Sequence, residues 1–317
     1  MMDDGKIGEE RQLKIVLKVL ADVGLIGLPN VGKSTLLNRM VGSKISIVTH
    51  KVQTTRGRIR GVAIEGDTQI VFVDTPGLFK TKRRLDRAMV ASAWSGAIDA
   101  DVVALLIEAH KGITETVRKI IEEIDGKVQS KHVILVINKI DRTSPEKLLS
   151  ITRELNEIFN FEETFMISAE KGHGVDKLKL WLASMLPQEP WLYPEEQIAD
   201  LPLRVIASEI TREKLILRLH QELPYQLTVE TERWVEKPDG SVLIEQIIYV
   251  VRDGHKGIIL GNKGTTIKSI GQDARADLIE FLGLTVHLLL KVKVRPNWQE
   301  EKARYTEMGL SYNDGNV

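Results

Sequence analysis

Gly27-Leu28-Pro29-Asn30-Val31-Gly32-Lys33-Ser34 decides how the rest of this chain is read. The stretch matches G-x-x-x-x-G-K-[ST], and its surroundings suit the pattern. An apolar run at 22–26 precedes it and a helically spaced stretch, Lys33–Val41, follows. A glycine-rich turn from strand into helix lets backbone N–H groups wrap a polyphosphate. The helix N-terminus adds partial positive charge. Lys33 would reach the β and γ phosphates, and the Ser34 hydroxyl would take Mg²⁺. The backbone at Gly27, Asn30, Val31, Gly32 and Thr35 completes the expected cradle.

Moving outward, the first half alternates two periodicities. Short apolar runs stand at 69–73, 102–107, 133–137 and 164–167. Helical spacing fills 84–97, 115–124, 145–159 and 175–185. Strands alternating with helices predict βαβ units and a mostly parallel sheet. Residues 58–65 alternate like an edge strand.

The ends of these strands carry further chemistry. Asp74-Thr75-Pro76-Gly77 begins 47 residues after Gly27, at the tip of the 69–73 run. An acid there can hold Mg²⁺ through water, and the Gly77 N–H can sense a γ-phosphate. Asn138-Lys139-Ile140-Asp141 ends another apolar strand. The Asp141 carboxylate can accept both N–H groups of the guanine edge. Adenine would leave it unpaired, a loss that discriminates by orders of magnitude. Asn138 can bond the base and nearby backbone, and the Lys139 stem can lie on the ring. Ser168-Ala169-Glu170 falls where a backbone N–H could meet the guanine carbonyl. Lys51-Val52-Gln53-Thr54-Thr55-Arg56 lies between the phosphate loop and Asp74. A threonine there can complete the Mg²⁺ shell only when the γ-phosphate is present. Thr55 is favoured over Thr54.

Near residue 187 the pattern stops. Pro187, Pro190, Pro194 and Pro202 read as an interdomain linker, whose Trp191 and Tyr193 suit packing on a domain. Beyond it a short strand is expected at 204–210 and a helix at 212–219. Two β-rich runs follow, 226–236 and 242–251, split by Asp239-Gly240, a strong hairpin signal. A short helix at 256–260, the loop Gly261-Asn262-Lys263-Gly264, a helix at 265–282 and a strand at 286–294 close the unit. The glycine pair is either a backbone platform for nucleic-acid phosphates or a turn joining two core helices. In the first case Lys263 and Lys268 meet phosphates, while Ile258, Ile259 and Ile267 line a groove for bases.

Composition sets the outer bounds. The 317 residues include 44 Lys+Arg and 44 Asp+Glu, so any nucleic-acid site must be a local patch. Residues 251–295 hold 8 basic against 4 acidic groups and are the candidate. Without cysteine there are no disulfides, thiolate metal sites or cysteine nucleophiles. The histidines show no metal-ligand spacing. No apolar run approaches a membrane span, and the start lacks a secretory signal pattern. The apolar cluster at 13–20 reads equally as an added helix, an added strand or a tail.

Five landmarks of a GTPase thus stand in order over residues 27–170. The set resembles the TRAFAC GTPases, in the TrmE-Era-EngA-EngB-Septin-like branch. Helix, two strands, helix, GxxG, helix and strand resemble a type II KH domain, whose GxxG loop clamps about four nucleotides of a single strand. The combination resembles the Era family. So do Gln53-Thr54-Thr55-Arg56, Arg83-Arg84-Leu85-Asp86, Glu209-Ile210-Thr211-Arg212-Glu213-Lys214 and Thr231-Glu232-Arg233-Trp234.

The resemblance implies a P-loop NTPase (Ras-like) G domain at 21–186, a linker at 187–203, a KH domain at 204–296 and a tail at 297–317, after an extension at 1–20. It implies GTP hydrolysis with Mg²⁺, binding of the 3′ end of 16S rRNA, and action in 30S subunit assembly. Also implied are a cytoplasmic monomer and peripheral association with the inner membrane. Leu78 stands where Ras-like enzymes place a water-orienting glutamine, and leucine cannot orient water. Asn30 occupies the position that ligates potassium in similar proteins, supplying charge an arginine finger would otherwise bring. Lys33, Asn30, Thr55 and Gly77 are therefore the expected catalytic set. The linker would carry the nucleotide signal to the KH domain. The alternative from another class is a GTPase signalling switch whose C-terminal domain binds protein. A tRNA-modification GTPase would need further domains for folate or flavin.

Overall fold

The computed structural model describes residues 21–51, 54–128, 131–186, 190–220 and 223–312. The segment at 1–20, Gln53 and the start of the expected linker lie outside them.

The first strand, β1 (Ala21–Gly27), runs through the middle of a six-stranded sheet. The chain then passes through α1 (Lys33–Val41), β2 (Ile59–Glu65), β3 (Thr68–Asp74), α2 (Arg84–Asp99) and β4 (Ala100–Glu108). It continues into α3 (Glu115–Lys127), β5 (His132–Asn138), α4 (Pro145–Ile158), β6 (Thr164–Met166) and α5 (Val175–Met185). Strand order is β2-β3-β1-β4-β5-β6, and only β2 pairs antiparallel. Because β1, β4 and β5 are covered on both faces, they read as unbroken apolar runs. One face packs Leu36, Leu37, Phe72 and Leu182, and the other packs Ala97, Ile120, Ile124 and Leu155. The C-terminal tips of β1, β3 and β5 meet at one edge. That crevice is where an open α/β sheet places its ligand.

The stretch from Pro190 to Asp200 packs back onto this sheet. The Trp191 indole donates to Asp67 O at 3.0 Å, and Gln69 Oε1 accepts from the N–H groups of Leu192 and Tyr193. Ile198 to Asp200 then bond the outer edge of β2.

The second unit corrects one expectation. Residues 204–210 are not a strand. They belong to α6 (Leu203–Arg218), a single helix capped at its start by Pro202. Ile206, Ala207, Ile210, Thr211 and Leu215 are all buried, a spacing only a helix puts on one face. Next come β7 (Leu227–Glu236), β8 (Val242–Val250), α7 (Asp253–Leu260), α8 (Thr265–Leu282) and β9 (Val286–Val294). Strands β7 and β8 form the expected antiparallel hairpin, while β9 joins β8 in parallel. Helix α6 packs on α8 over a core of Ile206, Ile210, Ile244 and Leu278.

Nor are residues 298–312 a loose tail. Trp298 and Tyr305, the latter in α9 (Lys302–Glu307), are fully buried against Leu85 and Met89 of α2. Arg84 stacks on Tyr312. Since Ile210 is 1% exposed, Ile210→Ala should cost about 2–5 kcal/mol through lost burial and a cavity. Urea denaturation checks this.

Candidate functional site: a phosphate and guanine pocket

Gly27, at φ 145°, passes so close to β4 that a Cβ would lie 2.4 Å from Leu106 O. Gly32, at φ 98°, starts α1, and a Cβ there would lie 2.3 Å from Asn138 Nδ2. These two glycines permit the loop to fold against its neighbours. The loop opens into a cavity of about 560 Å³ lined by Asn30, Lys33, Thr35, Thr55, Lys139 and Ala169 among others. That size suits a nucleotide. Val31 turns its side chain into the core and does not line the cavity.

At the phosphate end, Asp74 is completely buried. Its Oδ2 accepts from Ser34 Oγ at 2.6 Å and Ser46 Oγ at 3.0 Å. Thr55 Oγ1 lies 3.1 Å from Ser34 Oγ. Asp74 Oδ1 is buried with no hydrogen-bond partner. Burial pushes the Asp74 carboxyl up, against Lys33 and the three hydroxyls of Ser34, Ser46 and Thr55. Thr54 instead bonds within its own loop, to Thr49 Oγ1 and Lys51 O. Gly77 lies against the phosphate loop, where a Cβ would fall 2.7–2.9 Å from Pro29. Leu78 points into the core and is 4% exposed, so it faces no attacking water.

Hard oxygen donors around an orphaned, desolvated carboxylate oxygen form a set that fits Mg²⁺. Among the described residues there is no cluster of three His, Asp or Glu side chains suited to a metal. The cation would therefore rest on this hydroxyl and carboxylate set together with phosphate oxygens.

At the base end, Asn138 is committed to backbone. Nδ2 donates to Val31 O at 2.8 Å, and Oδ1 accepts from Lys139 N and Ala169 N. The side chain laces three loops together, and both its nitrogen and its oxygen are bonded to backbone. The Ala169 N–H, expected to face a guanine carbonyl, is held by this oxygen. Lys139, at φ 61°, sends Nζ to Asn30 O and to Glu108 Oε1, each at 2.7 Å. Asp141 is held below the usual carboxylate range by a Ser168 hydrogen bond and by Lys171, so it stays an ionised double acceptor. Sequence reasoning missed Glu108 and Ser46. Glu108 was legible only as an acid ending an apolar strand.

The GxxG loop joins α7 to α8 through a left-handed turn, with Gly261 at φ 71°, Lys263 at 49° and Gly264 at 78°. A Cβ on Gly261 would lie 2.1 Å from Thr266 Oγ1. Asn262, Lys263 and Lys268 are exposed, as is Ile258, and Ile267 is half-buried. Ile259 is a correction. It is 0% exposed inside the core with Leu215 and Ile270, one residue and about 100° round α7 from Ile258, and cannot line a groove.

The chain's relatives share this layout. Residues 22–139 match the family model for the 50S ribosome-binding GTPase, and 222–299 match the KH domain. GTPase Era of Dinoroseobacter shibae is 66% identical over 296 residues, covering 93% of this chain and 96% of that one. This chain belongs to the Era family of GTPases. GTPase Era of Brucella suis is 57% identical over 290 residues, covering 92% and 93%. Among solved structures, Era in complex with MgGDPNP and nucleotides 1506–1542 of 16S ribosomal RNA superposes with a TM-score of 0.86. It is 37% identical, covering 92% of this chain and 98% of that one. An Aquifex aeolicus Era variant bound to GDP and AlF₄⁻ gives the same TM-score, identity and coverage.

Burial lowers the Lys33 ammonium to about 8, with Asp74 opposing the shift. Bound phosphates stabilise the charged form, so a neutral Lys33 must take up a proton to hold them. GTP affinity should therefore fall as pH rises through about 8, with proton uptake on binding. Calorimetry in buffers of different ionisation enthalpy checks both.

Proposed function

We propose that this Era-family GTPase binds Mg²⁺-GTP through Ser34, Thr55 and Asp74, reads guanine through Asp141, and binds the single-stranded 3′ end of 16S rRNA through its GxxG loop during 30S subunit assembly. The convergence of Ser34, Thr55 and Asp74 beside the phosphate loop carries the nucleotide half. Bound there, Mg²⁺ supplies positive charge to the phosphate oxygens. Lys33 leaves its carbonyl partners, Gly27 O and Leu28 O, for the β and γ phosphates. Thr55 would complete the metal's oxygen ligands beside the γ-phosphate, and the Gly77 N–H would be free to donate to a γ-phosphate oxygen. Hydrolysis would release Thr55 and its loop.

Potassium is the second cation of this reading. Asn30, at φ 67°, donates its Nδ2 to His50 O at 2.8 Å. The carboxamide oxygen and neighbouring loop carbonyls are the weak-field donors that suit a large monovalent cation. Held there, that cation would add to the charge of Lys33 and Mg²⁺ beside the phosphates, in the role an arginine finger plays elsewhere. GTP hydrolysis should be faster in potassium than in sodium at equal ionic strength. Asn30→Gly, which tolerates the left-handed backbone, should abolish the difference while GDP still binds. Equal rates in both salts for the wild type would discard the cation.

The RNA half rests on the left-handed GxxG turn, which presents exposed Asn262 and Lys263 between two helix ends. The protein works as a monomer in the cytoplasm, with peripheral contact to the inner membrane. Among the described residues, no helix is long and apolar enough to cross a membrane. Replacing Asn262 and Lys263 together by Asp keeps both glycines. Stability should change by less than about 0.5 kcal/mol per site. Affinity for a single-stranded 16S 3′-end oligonucleotide should drop more than about tenfold, with a shallower salt dependence. Filter binding checks this, and unchanged RNA affinity would favour the protein-binding switch.

A further inference from the structure

The described residues of the loop between α1 and β2 form no helix or strand, yet the loop must deliver Thr55 to the metal site. In the structure it is grasped from the other domain. Glu213 of α6, 3% exposed, accepts the Val48 N–H at 2.8 Å through Oε1 and pairs with Lys44 through Oε2 at 2.5 Å. Arg212, 1% exposed, is fixed by Glu209 and donates to Thr54 O, the carbonyl next to Thr55. Between these points Lys51 Nζ donates to Ile216 O and Leu219 O, carbonyls at the C-terminal end of α6, where the helix dipole favours a cation. Lys44 also meets Asp277 of α8 at 2.8 Å, and Lys214 meets Asp277 at 2.5 Å. Lys44 thus reaches from the G domain onto two KH-domain carboxylates, Glu213 and Asp277, which Lys214 also bridges. Burial opposes the Lys44 charge, but bonds from Asp277 and Glu213 outweigh it and raise its pKa.

We propose that Arg212 and Glu213, in the KH domain, are positioning residues for GTP hydrolysis in the G domain. Glu213 fixes the start of the loop and Arg212 fixes the peptide that orients Thr55. Neither lines the nucleotide cavity. The inference rests on the assignment of Thr55 to Mg²⁺. It goes beyond that assignment by making the catalytic geometry depend on a helix some 160 residues downstream, beside the helix that begins at the GxxG loop. This contact, and not the linker alone, would then connect the two sites. A misplacement of about 1 Å in such a group costs on the order of 100-fold in rate.

The test uses the full-length protein. Arg212→Met and Glu213→Ala should lower kcat for GTP about tenfold to 100-fold. They should weaken a non-hydrolysable GTP analogue while leaving GDP affinity within about twofold, since GDP does not engage Thr55. Glu213→Gln retains an acceptor for Val48 N–H and should recover most of kcat. Lys44→Met, at a side chain 38% exposed, provides a variant tolerant of folding and should move the same readouts in the same direction. Circular dichroism confirms that each variant is folded. Wild-type kcat and analogue affinity in the folded variants, or a parallel loss of GDP affinity, would overturn the proposal. Thr55→Ala separates the two ideas. If Thr55→Ala hydrolyses GTP normally, the metal assignment falls and this inference with it. If only Thr55→Ala is impaired, this inference alone falls.

Discussion

A buried carboxylate organises this molecule. Asp74 sits at the tip of a central strand with no exposed surface, and one of its oxygens has no partner. Burying an ionised group is costly unless a counter-charge or hydrogen bonds replace its hydration. The hydroxyls of Ser34, Ser46 and Thr55 and the Lys33 ammonium provide part of that replacement. They come from different places: the phosphate loop gives Ser34 and Lys33, while the loop after α1 gives Ser46. In the proposed reading, the remaining electrostatic demand would be met by Mg²⁺. The strand order follows from the same point, since β1 and β3 must lie side by side to bring the phosphate loop and Asp74 together.

The base pocket is built on a different principle, shared backbone bonds. Asn138 joins the phosphate loop, the base loop and the loop at 168–170. Lys139 bridges Asn30 O and the buried Glu108. These bonds tie the pocket's loops to one another through protein groups alone.

Much of this was legible because the decisive residues are local. Gly27 to Ser34 lies within one turn, and Asp74 and Asn138 each end an apolar strand. The misreadings have physical causes too. Residues 204–210 carry Val205, Ile206 and Ile210, which by themselves suit a strand; the helical period appears only when Thr211 and Leu215 are added. Ile258 and Ile259 are neighbours of equal hydrophobicity, and only the orientation of a short helix separates an exposed side chain from a core one. Glu213 and Arg212 were visible as part of a family-like phrase, but their partners Val48 and Thr54 lie more than 150 positions away. No periodicity encodes such a contact.

The boundary between the domains combines two kinds of contact with different consequences. Leu85, Met89, Trp298 and Tyr305 form an apolar cluster that contributes non-directional attraction. Around Glu213, Lys44, Lys214 and Asp277 the contact is ionic and directional. Buried ion pairs add little net stability over an apolar substitute, because desolvation offsets much of the attraction. What they add is discreteness, since such bonds are made in one geometry and lost with small displacements. An apolar boundary would let the loop carrying Thr55 slide over a range of positions at similar energy. A charged one holds it at a single position, or lets it go once these groups can be rehydrated. That is the behaviour a nucleotide-dependent switch requires, and it accounts for the charge on Arg212 and Glu213, where burial alone would favour leucine.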